Sequence, residues 1–598
     1  MVNPLSTCPS LARLDAFKNG ALREDEMDAV ALHLRQCTKC RDTVSARFIP
    51  PVAIQFAIVV AVSLASLYAW RQFTGHRESI AALSIALHEV GSRPIQGRLT
   101  GGFEWLPYGG TKIAGPSQRL RNVALSVLQG DDRHAAAVAE IVLRRGNQAI
   151  SELSRFAETS HDPVVWNDLA VARYQTAESD HSPALLGKAL AAVDGALRLN
   201  PTLPEALFNR ALIIEHFGLR DQSREAWEKF LAVDGGSGWS TEAREHARAL
   251  APEEFFAVRL DRDYDRLAND SAAARSLASQ FPQEARTYGE TKVLGRWAEA
   301  EISGDRTAAA AAHLRVARAF GEQLLSGAGD KMLASAVAAI DRADNRGRIS
   351  IAHGHIDFRD GQSFYMHNKA SAANVLLDRA VVELERGGSP VALLARYFAA
   401  STAYDGGRIS EARANLEHLL ATVPDGFQAH RAQLQWQLGR YYLLDGRWGD
   451  ALRTLSESVE GFRRLGELNY AAAVREIVAE VHDRDGDTAA AWRERMIALS
   501  ELGRQMTPRL QIAISSMTRV AMTEADWPQA ASFLTLELDV ARRVGTPVRR
   551  VEMALLRARV RERMGNFAGA KADLADARRE IRNLDDPAMS SLLDSEAV

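Results

Sequence analysis

Gly446-Arg-Trp-Gly-Asp-Ala451 reads as a chain reversal running straight into a helix, with glycine at the turn and alanine in the first helical turns. The same phrase returns at Gly407-Arg-Ile-Ser-Glu-Ala412 and Gly486-Asp-Thr-Ala-Ala-Ala491. Looser copies stand at His367-Asn-Lys-Ala-Ser-Ala372, Ala525-Asp-Trp-Pro-Gln-Ala530 and Gly565-Asn-Phe-Ala-Gly-Ala570. Successive first positions are 40, 39, 40, 39 and 40 residues apart. That period belongs to two-helix repeats. A lone helix pair cannot bury its apolar face, so neighbours stack into a continuous core and a superhelix with an extended groove. The fold expected from this pattern is an all-α solenoid.

Upstream the units are less regular. Trp166-Asn-Asp-Leu169-Ala170 with Tyr174 opens one helix, and Ala189, Val193, Ala196 and Pro201 mark its mate. Asn209-Arg-Ala211, Phe217-Gly218, Trp227 and Phe230 form the next unit. These units resemble tetratricopeptide repeats, with small residues where paired helices approach. An N-terminal block is expected over residues 117–260 and a C-terminal block over 261–598, with the break inside Ser237–Ser271 and an irregular pair over Gly327–Gly347. The groove suits a protein or peptide partner. Arginines and aromatics carry much of the energy in such contacts. Arg396 with Tyr397 and Arg440 with Tyr441, on first helices of the C-terminal repeats, are therefore the expected anchors.

At 598 residues the chain exceeds one core. A net charge of −3 with 25% charged residues leaves no polybasic field for nucleic acid. Residues 48–70, from Phe48 to Trp70, carry no charge and are long enough for a helix to cross a ~30 Å hydrocarbon core. A transmembrane helix is expected there, with Phe48, Phe56, Tyr68 and Trp70 toward its interfaces. Arg35, Lys39, Arg41 and Arg47 precede it and Arg71 and Arg77 follow, which points the N-terminus into the cytoplasm and the repeats across the membrane. Residues 71–116 form a juxtamembrane segment. Its stretch from Arg93 to Lys112 is broken by glycines and prolines and is expected to pack on the first repeat as a docked loop or short strand.

All three cysteines lie before the apolar segment. His33 and Cys37 are four apart and share a helix face, Cys40 follows within a turn, and Cys8 completes four ligands. A closed tetrahedral set of this kind makes a structural zinc site, and metal ligation supplies folding energy that a head of residues 1–47 lacks. Leu14-Asp-Ala-Phe-Lys-Asn-Gly20, closing on His33-x3-Cys37-x2-Cys40, resembles the zinc-finger domain of bacterial anti-sigma factors. That resemblance covers about the first 45 residues. It implies a cytoplasmic domain that clamps an extracytoplasmic-function sigma factor, in a protein of the bacterial inner membrane.

Catalysis finds little footing. Gly109-Gly110-Thr111-Lys112 matches a phosphate-binding loop only in part, with no strand leading into it. His353-Gly-His355-Ile-Asp357 falls in a repeat helix without further histidines to close a metal shell, so His353 and Asp357 are expected to pair or to face solvent. Zinc head, span and repeats together also resemble the non-catalytic part of bacterial proteins that end in a caspase-like CHAT peptidase. A cysteine peptidase needs a thiolate beside a histidine, and no cysteine follows Cys40. The chain is expected to be no enzyme. It is either a membrane-anchored interaction scaffold coupled to a sigma factor or the sensing half of a peptidase system whose catalytic domain lies on another chain or is missing.

Overall fold

The computed structural model describes residues 7–45, 78–110, 117–251, 254–303, 308–405, 407–504 and 506–582. The chain forms two compact units, Met1–Glu78 and Ser79–Val598. Among the described residues the elements are helices, apart from one isolated bridge between Arg93 and Tyr108. The expected span at 48–70 lies outside the described residues, and among those no helix is long and apolar enough to cross a membrane.

The first unit holds α1 (Leu11–Lys18), α2 (Glu24–Gln36) and α3 (Thr38–Ser45). Ser10 caps α1 by accepting the Arg13 amide, and Glu24, Asp25 and Glu26 put negative charge at the positive end of the α2 dipole. Its core is little more than Leu14, Val30 and Cys40. That is too small to hold three helices unaided.

The second unit opens with a helix over residues 78–90 (α4), then α5 (Gln118–Leu128), α6 (Arg133–Val142) and α7 (Gly146–Thr159). Two hairpins follow, α8 (Pro163–Ser179) with α9 (Pro183–Leu199) and α10 (Pro204–His216) with α11 (Arg220–Val233), and then α12 (Gly238–Ala249). Proline in the first turn starts α8, α9 and α10, where its missing N–H leaves no bond unmade. The helices α13 to α19, between Phe256 and Arg342, are uneven in length and include a π turn at Gly289–Val293, so the irregular stretch is wider than 327–347.

The periodic half is six hairpins, α20 to α31. They pair α20 (Asn345–Met366) with α21 (Ala370–Arg386), α22 (Ala392–Asp405) with α23 (Ile409–Thr422), and α24 (Gln428–Leu444) with α25 (Trp448–Arg464). Next come α26 (Leu468–Asp485) with α27 (Thr488–Leu502), α28 (Pro508–Thr523) with α29 (Trp527–Val544), and α30 (Pro547–Arg563) with α31 (Phe567–Ile581). The repeating turn residue is left-handed at Asn368, Gly407, Gly446, Gly486, Ala525 and Gly565, with φ from 57° to 85°. A side chain there costs about 1–2 kcal/mol, which is why glycine fills four of these six turns. The first copy is thus centred on Asn368, one residue after His367.

A change of core does fall near residue 260, since one hydrophobic cluster ends its first run at Leu250 and another begins at Phe256, but the two blocks are not independent. One hydrophobic cluster unites Ile80–Leu250 with residues from Ala472 to Val560. The C-terminal hairpins fold back along the earlier half, and as they advance their partners retreat. Lys331 N–H donates to the Gly426 carbonyl at 2.8 Å, and the Asp330 carboxylate accepts from the Ala429 amide at the start of α24. Further on, Arg286 meets Glu467, and Arg220 N–H donates to the Gly503 carbonyl at 3.0 Å. Phe217 lies edge-on to Phe533 at 6.0 Å, and α9 packs on α29 so closely that a Cβ at Gly187 would collide with Gln529.

The Arg286 contact is the most buried of these. Its guanidinium grips Glu467 through Nε to Oε1 at 2.6 Å and Nη2 to Oε2 at 2.7 Å, and Nη1 reaches Glu290 at 3.0 Å. Burial pushes the Glu290 carboxyl up to about 8 against the opposing pull of the Arg286 guanidinium. Arg286→Met in the full chain is expected to lower unfolding stability by about 3–5 kcal/mol in a urea titration, with much of it regained by adding Glu467→Leu. A single substitution without effect, or a double substitution no better than the single, contradicts this role.

Candidate metal centre and repeat grooves

In the first unit α2 and α3 meet at Cys37, whose backbone is extended between them. That break brings Cys40 back beside His33 and Cys37, and the chain before α1 adds Cys8. The four ligand atoms lie within 4.8 Å of one another. Two sulfurs held ~2.3 Å from a tetrahedral ion stand roughly 3.8 Å apart; Cys8 Sγ and Cys37 Sγ are 3.9 Å apart. The Cys40 amide holds the Cys37 thiol down to about 7, while burial pushes the Cys40 thiol up to about 11. The donor set fits a metal ion, and it is the one such cluster among the described residues.

In the second unit, first helices of successive hairpins form two grooves. The N-terminal one, on α8 and α10, is filled by the chain itself. Asn209 grips a single residue from both sides: its Oδ1 accepts the Arg98 N–H at 2.7 Å and its Nδ2 donates to the Arg98 carbonyl at 2.8 Å. Asn167 Nδ2 donates to the same carbonyl, and its Oδ1 accepts from Asn209. The Asp168 carboxylate takes the Thr100 N–H at 2.9 Å and the Thr100 hydroxyl at 2.6 Å. Behind it, burial works against a charged His134 ring, but Asp168 at 2.9 Å outweighs burial and raises its pKa. The Arg98 guanidinium pairs with Asp234 at 2.8 Å and lies over the Trp239 ring. Trp105 donates to Glu242. The segment after residue 90 is thus a docked loop on the first repeats, joined to itself by one bridge.

The C-terminal groove runs over α24, α26 and α28 and encloses about 610 Å³. Trp436, Arg440, Leu444, Glu476, Arg509 and Ile512 line it, and Leu444 and Ile512 are each 63% exposed. Burial pushes the Glu476 carboxyl up to about 7, against the opposing pull of the Ser516 hydroxyl and the Arg495 and Arg519 guanidinium groups.

The expected anchors separate. Arg440 lies in this groove and donates a 3.3 Å hydrogen bond to Gln437. Tyr441 does not: it is 2% exposed and belongs to the core. Adjacent residues on a helix point about 100° apart, so Arg440 and Tyr441 cannot share a face. Tyr397 is packed edge-on against Phe398 and His430, and its exposed neighbour Arg396 pairs with Glu385. His353 is exposed, while Asp357 pairs with Arg379 rather than with His353. His355 is fully buried beside Trp297, and burial takes its pKa down to about 3. Glu476, Ile512 and the cis occupancy of the N-terminal groove were not read from the sequence. One signal was there: Asn167 and Asn209 sit 42 residues apart, in register on successive first helices.

No family model and no curated protein matches the chain. Among solved structures it is similar to the Cut9–Hcn1 hetero-tetramer of the APC/C, at 14% identity and a TM-score of 0.32 over 79% of this chain and 98% of that one. It is similar to yeast Tom70 at 13% identity and 0.28, over 79% and 99%. It is also similar to the P58(IPK) TPR domain at 12% and 0.19, over 76% and 98%.

Metal in the head has a direct test. Full-length protein purified in detergent is expected to carry one zinc per chain by elemental analysis, and Cys37→Ser with Cys40→Ser to carry none. Folded wild-type protein without metal contradicts the site.

Proposed function

We propose that this chain is a membrane-anchored, non-catalytic interaction scaffold of tetratricopeptide-like repeats, with a head stapled by structural zinc. The observation that carries the scaffold reading is the groove over α24, α26 and α28. Exposed leucine and isoleucine favour an apolar partner surface, since burying each side chain fully is worth about 1.5–3 kcal/mol. The Glu476 carboxyl in the same groove is desolvated, and a charged donor from a partner would offset that cost. The partner that fits is a polypeptide segment with apolar side chains over Leu444 and Ile512 and a lysine or arginine reaching Glu476.

The other parts of the reading rest on sequence. The charge-free stretch over residues 48–70 supports a single helix through a bacterial inner membrane, and the basic residues before it support a cytoplasmic head. Cys8, His33, Cys37 and Cys40 match the four soft or borderline ligands of closed zinc sites, with no position left for reactive water. The head's resemblance to anti-sigma zinc fingers supports a sigma factor as its partner, so that binding on the repeats would be coupled to transcription.

A photo-crosslinking residue in place of Leu444, in the full chain in native membranes, is expected to give a discrete protein adduct. The same residue at Phe567, apolar and 70% exposed outside the groove, is expected to give none. Glu476→Gln should reduce the Leu444 adduct severalfold. Equal labelling at both positions, or none at Leu444, contradicts the reading.

A further inference from the structure

Asn167, Asp168 and Asn209 are buried at 0%, 0% and 2% exposure on helices where an apolar side chain would serve packing better. Asparagine and aspartate are also poor residues for a helix interior. Apart from contacts among themselves and with His134, their side-chain hydrogen bonds among the described residues run to residues 98 and 100 of the segment between α4 and α5. Take the segment away and several buried polar atoms lose their partners at once. The face of α8 and α10 is therefore built around an extended chain, gripped by its backbone.

The rest of the contact selects side chains. At Gly97 a Cβ would come within 3.1 Å of Val171 and 3.2 Å of Asn209, so the position admits only a small residue. Arg98 sits between Asp234 and the Trp239 ring, with Glu205 at 3.9 Å. Leu99 is 3% exposed, and Thr100 gives its hydroxyl to Asp168. Tyr174 holds the Gln96 side chain at 2.9 Å. Alongside Pro94–Gln96 lies a cleft of about 510 Å³, bordered on the repeat side by Arg144, Gln148, Gln175 and Asp180. The segment forms one wall of that cleft. On its far side the segment runs into Gly101 and Gly102, both left-handed, with Gly101 so close to Ile80 that a Cβ there would collide with it.

We propose that the α8–α10 face is a peptide-binding site whose resident ligand is this chain's own Gln96–Thr100. The site accepts in its place an extended segment of a partner protein with the sequence chemistry small–arginine–aliphatic–threonine or serine. This site stands apart from the Leu444 groove, and neither depends on the other. An intramolecular ligand on a short tether acts at an effective concentration near the millimolar range. The resident segment therefore masks the site against weak binders, and a partner must exceed that competition or find the segment drawn away.

The test uses full-length protein in detergent and a fluorescein-labelled synthetic peptide of residues 93–108, read by fluorescence anisotropy. Arg98→Glu in the chain sets a carboxylate against Asp234 and Glu205 and expels the resident segment; Thr100→Ala loosens it by removing one hydrogen bond. The peptide is expected to bind the R98E chain at least tenfold tighter than the wild-type chain, with T100A in between. Adding Asn209→Ala to the R98E chain should abolish that gain, and a peptide itself carrying glutamate at the arginine position should not bind. An R98E chain that keeps its helix content and melting temperature yet takes up no peptide overturns the proposal. If R98E does not fold, T100A decides: tighter binding than wild type supports the proposal, and no binding or loss of folding overturns it.

Discussion

A guanidinium buried to 1% exposure, held on both edges of Glu467, sets the register of the repeat body. Such a pair adds little to stability compared with well-packed apolar residues, but removing one partner leaves a charge stranded in a medium that cannot solvate it. Its effect is therefore on alignment. Glu467 is the residue just before α26, and the equivalent positions before α24 and α28 are Phe427 and Thr507. A slip of one hairpin would set Arg286 against phenylalanine or threonine with no carboxylate to meet it. Docking of the C-terminal hairpins on the earlier half is thereby confined to one alignment.

That alignment decides which surfaces the body offers. Packing of α29 on α9 and docking of the loops at Gly426, Glu467 and Gly503 consume the outer parts of the periodic hairpins. The first helices α24, α26 and α28 stay accessible along one side, where Leu444 and Ile512 meet solvent. On α8 and α10 the corresponding face is covered, but by an extended segment and not by a helix. Two chemically distinct docking faces result. One is open and apolar with a carboxyl at its base, and the other reads backbone and is closed by the chain itself.

The periodic half was legible because its signal is local. A left-handed turn every 39 or 40 residues demands glycine or a close substitute, and the demand recurs in sequence at the same interval. The metal cluster was legible because every cysteine falls within it. The fold-back was not. Arg286 and Glu467 are 181 residues apart and look individually like two ordinary surface charges among many. The paired anchors divide by helical phase: Arg440 lines the groove, while its neighbour Tyr441 is buried in the core. Asn167 and Asn209 read in the sequence as repeat landmarks, and only in the fold are their amides spent on another stretch of backbone.

The account turns on a segment that is bound to the repeat body and can leave it without unfolding it. Hydrogen exchange resolved to single amides in the full chain measures this directly, because Arg98 and Thr100 donate their N–H groups to Asn209 and Asp168 while the interior amides of α8 are bonded within their helix. Local release lets the two segment amides exchange at least tenfold faster than those of α8, at a rate insensitive to low urea. If Arg98 and Thr100 exchange only as fast as the α8 interior and with the same urea dependence, the segment is a fixed part of the core and the account is wrong.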